Sequence, residues 1–132
     1  MQVYDLSEAD LESQKALNNL HPGVARELKS CFLKVFNGDV PDGVGVRVEQ
    51  CTNIVSFHIV VYATAIACKG KKEEIVGRSF ASVTEFLRSS QYRLSMVCMA
   101  AEDCLREIRR FRAIDPEEVT RLMDLIDTWP GY

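Results

Sequence analysis

Ser56 and His58 stand two residues apart in the apolar segment Ile54–Ala67, and they are the chain's most suggestive local pairing of a nucleophile with a base. On an extended backbone, positions i and i+2 share a face, but their Cβ atoms lie about 7 Å apart. That is beyond direct hydrogen-bond reach, so a small hydrolase built on Ser56 and His58 is a remote reading. Cys98 and Cys104 sit near acids, which raise a thiol pKa and so oppose nucleophilic use. Gly43-Val44-Gly45 lacks the third glycine and the following helix of a dinucleotide loop, and no Walker pattern occurs. His21 and His58 lie far apart, neither at a zinc-ligand spacing from a cysteine. No metal, no cofactor and no catalytic residue are expected, and the chain reads as a non-enzyme.

Binding chemistry has better material. Arg106, Arg109, Arg110 and Arg112 form the densest basic cluster, with Phe111 inside it, and arginine grips phosphate bidentately. Lys69, Lys71 and Lys72 could extend such a surface as possible phosphate contacts. Glu102, Asp103 and Glu107 are interleaved with the arginines, however, at spacings that favour pairing along a helix. A solvated, salt-bridged face is therefore the simpler expectation for this cluster.

The segment Ile54–Ala67 alternates between two unlike sets. Val55, Phe57, Ile59, Val61, Ala63, Ala65 and Ala67 are all apolar and suit a core. The other set includes Ser56, His58, Val60, Tyr62 and Thr64, too polar for a core and too apolar for a plain solvated surface. A thin helical layer, a second subunit or a ligand would satisfy such a face. Trp129, near the end of the chain, is a further candidate contact, although it also suits closure of the core.

The elements that must position these residues follow from periodicity. Ser7 can cap a thinly apolar helix over Ser7–Leu20, which Asn18-Asn19 and His21-Pro22-Gly23 end. A stronger helix runs from Pro22 to Phe36, with Val24, Leu28, Cys31, Phe32 and Val35 at helical spacing and Asn37-Gly38 as its stop. Val44, Val46 and Val48 alternate as a half-buried strand. A long strand over Ile54–Ala67, a turn at Lys69–Lys72 and a weaker strand from Glu74 to Ala81 complete a three-stranded antiparallel meander. Ser82-Val83-Thr84-Glu85 fits a capping box, and a stripe from Leu94 to Ile108 predicts a helix with a break near Ser89-Ser90. Tyr92, Leu94, Met96 and Cys98 also alternate as a strand would, but the longer pattern favours helix over 90–99. Asp115-Pro116-Glu117-Glu118 opens a last helix, which Pro130-Gly131 stops. The expected fold is α+β, an antiparallel three-stranded sheet flanked by N-terminal and C-terminal helices in the order α-α-β-β-β-α-α.

At 132 residues the chain suits a single domain over 1–132. Its 47% hydrophobic and 27% charged content excludes wholesale disorder. The net charge of −3 gives no bulk attraction to nucleic acid or anionic membrane. That charge is segregated: residues 1–20 carry −3, 69–112 carry +4 and 113–132 carry −4. Acidic ends folding onto the basic part, in the same chain or in a neighbour, would account for it. The five cysteines have irregular spacings and no CxxC pair, which suits reduced core thiols in the cytoplasm. The first residues lack the basic and apolar regions of a secretory signal, and the apolar stretch to Cys68 is too short and too interrupted to span a bilayer.

The expected function is that of a non-enzymatic intracellular interaction protein, an adaptor or inhibitor, that self-associates and binds another macromolecule. A homo-oligomer, a dimer first, and an unidentified protein partner are its expected partners, without a membrane. The alternative is a small single-stranded nucleic-acid binder, in which Tyr62 and His58 stack bases inside a Lys/Arg rim.

Overall fold

The computed structural model describes residues 2–6, 12, 15–16, 23–51, 56–64, 75–111 and 115–128. Four strands and four helices are defined in them: β1 (Gln2–Asp5), α1 (Val24–Val35), β2 (Val44–Cys51), β3 (Ser56–Ala63), β4 (Ile75–Ser82), α2 (Val83–Arg88), α3 (Ser90–Phe111) and α4 (Pro116–Asp127). The fold is mixed helix and sheet with an antiparallel sheet, as expected, but two details differ. The sheet has four strands, in the order β1-β2-β3-β4. The expected order α-α-β-β-β-α-α is also corrected: a strand opens the chain, and three helical segments follow the sheet.

β1 escaped the sequence reading because four residues, Gln-Val-Tyr-Asp, carry almost no periodic signal. A partner rather than a propensity makes it a strand. Val3 pairs with Glu49 and Tyr4 with Val48 along the free edge of β2, and Leu6 N–H donates to the Val46 carbonyl at 3.0 Å. The expected helix over Ser7–Leu20 lies almost wholly outside the described residues, as do the Lys69–Lys72 turn and both ends of the long strand.

Local signals elsewhere are realised in detail. The α1 stripe Val24, Leu28, Cys31, Phe32 and Val35 is buried. The helix ends in a Schellman motif: Gly38 N–H donates to the Leu33 carbonyl at 2.8 Å and Asn37 N–H to that of Lys34 at 2.9 Å. Asn37 takes the left-handed conformation this requires, at φ 52°. Ser82 caps α2 by accepting from Glu85 N–H at 3.2 Å. The chain breaks at extended Ser89, and α3 settles the ambiguous stretch 90–99 as helix. Asp115 caps α4, accepting from Glu117 N–H at 2.9 Å, with Pro116 in the first turn.

α3 lies across β3 and β4, while α1 and α4 pack on α3. The close approach is set at Gly77, where a Cβ would collide with Cys104 N and the Ala100 carbonyl oxygen. Beside it, Ser79 Oγ donates to the Met96 carbonyl at 2.7 Å. The core joins Phe57, Ile59, Val61 and Ala63 of β3 to Val97, Ala101 and Leu105 of α3, and Phe57 stacks on Phe86 of α2 at 4.6 Å. None of the helices, over the described residues, is long and apolar enough to cross a membrane.

Cys31, Cys98 and Cys104 are buried in this core, with the Cys104 thiol donating to the Ile75 carbonyl at 3.8 Å. Burial, first, and then the neighbouring Cys31 and Glu102 push the Cys98 thiol up to about 12. Native Cys98 is therefore expected to resist a thiol reagent at about pH 8 and to react only on unfolding, checked by mass mapping of labelled peptides. The linkage follows in sign. A raised folded pKa favours the protonated thiol, so its contribution to stability is full below the unfolded pKa of about 8.5. It is lost as pH rises from there toward the folded value. Urea midpoints should fall on going from about pH 8 to about pH 10, and less steeply in Cys98→Ala.

Candidate functional site: the outer face of the sheet

With α3 on one face of the sheet, alternation assigns the other to Val3 and Asp5 of β1, Arg47 and Glu49 of β2, His58, Val60 and Tyr62 of β3, and Val76, Arg78 and Phe80 of β4. The rows follow from the register. Val3, Glu49, His58 and Phe80 cross the sheet side by side, and next to them run Asp5, Arg47, Val60 and Arg78.

Five polar side chains of this face, Asp5, Arg47, Glu49, Tyr62 and Arg78, pair with one another. Arg47 Nε donates to Glu49 Oε2 at 2.9 Å, and Arg78 Nη2 reaches Glu49 Oε1 at 3.5 Å from the other side of β3. Glu49 is buried beneath these two guanidiniums, so neither partner leaves it an uncompensated charge. Since Arg78 pairs in register with Val60 and reaches diagonally to Glu49, its stem crosses Val60, which is fully buried yet outside the main core. Arg47 also lies over the Tyr62 ring, 4.9 Å from its centroid, and Tyr62 Oη donates to Asp5 Oδ2 at 2.7 Å.

The expected site residues thus have separate fates. Val60 and Tyr62, the latter only 5% exposed, are engaged within the chain. His58 is half-buried and meets Phe80 edge-on at 5.2 Å. Ser56 opens β3 opposite Cys51 and Ser82, its side chain outside the described ones. Thr64 N–H donates to the Gly43 carbonyl at 2.8 Å, and its buried hydroxyl has no hydrogen-bond partner among the described residues. The structure therefore brings His58, Val60 and Tyr62 to one face, with no base-stacking surface at Tyr62.

The arginine cluster is divided among local partners. Arg106 pairs with Glu102 at 3.1 Å and Asp103 at 3.8 Å. Arg110 pairs with Glu107 at 3.9 Å, and Arg109 donates to Thr120 Oγ1 of α4 at 3.4 Å. Lys69, Lys71, Lys72, Arg112 and Trp129 lie outside the described residues. No group of three or more His, Cys, Asp or Glu among the described residues is placed to hold a metal ion.

What the sequence reading missed is the flank of β4. Phe80 is 62% exposed and Met99 of α3 is 54% exposed. A signal existed in the alternation Val76, Arg78, Phe80, which directs an aromatic to the side opposite Ile75. Met99 gave none, because a methionine beside a helical stripe usually joins the core.

Tyr62→Phe checks the outer network. It removes one charge-assisted hydrogen bond that ties β1 to β3 across β2, with an expected loss of about 1.5 kcal/mol. Chemical denaturation would measure it.

No family model, no curated protein and no solved structure matches this chain.

Proposed function

We propose that this chain is a non-enzymatic interaction protein that self-associates, works in the reducing cytoplasm and binds another protein as an adaptor or inhibitor. One observation carries the reading. On the outer face of the sheet Asp5, Arg47, Glu49, Tyr62 and Arg78 are taken up in pairing with each other, whereas large apolar side chains, Phe80 and Met99 above all, are presented to solvent. A surface that spends its charges internally and displays apolar side chains suits macromolecular contact better than catalysis. Buried cysteines in the core, Cys31 and Cys98 among them, fit a reducing compartment.

The test combines mass and nucleic-acid binding on one sample. Light scattering should give a mass above the 14.9 kDa of one chain. Fluorescence anisotropy with labelled single- and double-stranded oligonucleotides, at about 50 and 200 mM salt, should detect no binding. A monomer that bound single strands tightly at low salt and released them at high salt would replace this reading with a nucleic-acid one.

A further inference from the structure

We infer that the flank where β4 meets α3, centred on Phe80 and Met99, is the surface on which a second copy of this chain docks. The inference rests on the self-association proposed above and names the surface that performs it. Among the described strands β4 lies at an edge of the sheet, and unpaired edges invite another strand. Here that route is obstructed, because Arg78 N–H donates to Asp103 Oδ2 of α3 at 3.1 Å. Contact at this flank therefore runs through side chains.

Those side chains flank the edge from its two sides. Arg78 and Phe80 are two residues apart on the outer face, and Met99 precedes Asp103 by one helical turn. Arg78, Met99, Glu102, Asp103 and Arg106 surround one open recess of about 290 Å³. An exposed aromatic thus stands on one side of the edge and an exposed methionine on the other, with the recess beside them.

Charge selects the occupant. The recess carries two cations, Arg78 and Arg106, and two anions, Glu102 and Asp103. A balanced patch gives a phosphate backbone no net attraction, nor does it favour a strongly acidic or basic protein. It can be complementary to its own image. In a two-fold contact each patch meets the same patch, so the exposed Arg106, paired in its own chain with Glu102 and Asp103, can exchange these for the Glu102 and Asp103 of the other copy while Phe80 and Met99 are covered.

Sedimentation over a concentration series tests this with the full chain. The wild type should reach twice the 14.9 kDa monomer mass. Phe80→Glu and Met99→Glu should each weaken dimerisation by about thirty-fold, the scale of a lost hot spot. Arg106→Glu leaves the patch acidic and Glu102→Lys leaves it basic. Each alone should be monomeric, and an equimolar mixture should recover the dimer mass. That recovery would also show that both variants are folded. A wild type that stays monomeric throughout would overturn both self-association and this interface. A dimer indifferent to Phe80→Glu and Met99→Glu, with no difference between the charge variants apart and mixed, would overturn the flank alone.

Discussion

Gly77→Ala is expected to cost about 3 kcal/mol or more, the upper range for overpacking a well-filled site. The reason is the identity of the obstructing atoms. The added methyl would collide with Cys104 N and the Ala100 carbonyl oxygen and stand 2.8 Å from Cys104 Cα, all of them main chain. No rotamer change relieves such a contact, so α3 must lift from β4. Lifting it disturbs the Ser79–Met96 hydrogen bond and the packing of Val97, Ala101 and Leu105 over the sheet. Truncating Cys104 to Ala should therefore fail to rescue the variant, because the side chain is not what obstructs. Gly38→Ala separates this mechanism from backbone strain. Gly38 sits at φ +77° with nothing within 4 Å of a built Cβ, so its substitution pays only the left-handed penalty of about 1 kcal/mol. Urea denaturation of both variants measures the difference. A Gly77→Ala protein as stable as Gly38→Ala would show that helix and strand do not approach this closely.

The same glycine marks what the sequence does and does not disclose. Elements with a repeating signal are legible: the stripe of α1, the alternation of Val44, Val46 and Val48, the Ser82 and Asp115 caps and the break at Ser89 each depend on residues close in sequence. β1 and Gly77 depend on distant partners. Val3 becomes a strand residue because Glu49 offers an edge, and Gly77 matters because α3, more than twenty residues later, crosses at that point. The candidate site is legible to a similar extent. Alternation correctly separates Phe57, Ile59 and Val61 from His58, Val60 and Tyr62. It cannot reveal that Asp5 takes the Tyr62 hydroxyl, or that Arg78 reaches across β3 to Glu49. A mixed polar and apolar face reads as vacant in one dimension, and long side chains from neighbouring strands occupy it in three.

Arg93→Met is expected to cost about 3 kcal/mol, at the lower end of the range for breaking a buried ion pair. Arg93 is 9% exposed and unites three helices from inside α3. Its Nε donates to Glu27 Oε1 at 3.1 Å and its Nη2 to Glu27 Oε2 at 2.8 Å, a bidentate grip on α1. Its Nη1 donates to the Phe86 carbonyl of α2 at 3.0 Å. Methionine keeps much of the volume and forfeits all of these bonds. The Glu27 carboxylate, whose side chain is 27% exposed, then retains some water, which places the cost below that of a fully buried orphan charge. The Phe86 carbonyl loses its donor as well, a smaller penalty that Arg93→Lys can partly recover while losing the bidentate geometry. A double-mutant cycle separates the contributions. Glu27→Met alone leaves a buried guanidinium still bonded to Phe86, and Arg93→Met alone leaves the carboxylate. The double variant leaves no unpaired charge and should be less destabilised than the sum of the two, by about 1–3 kcal/mol. Strict additivity would mean that Glu27 and Arg93 act independently, so that no ion pair couples α1 to α3.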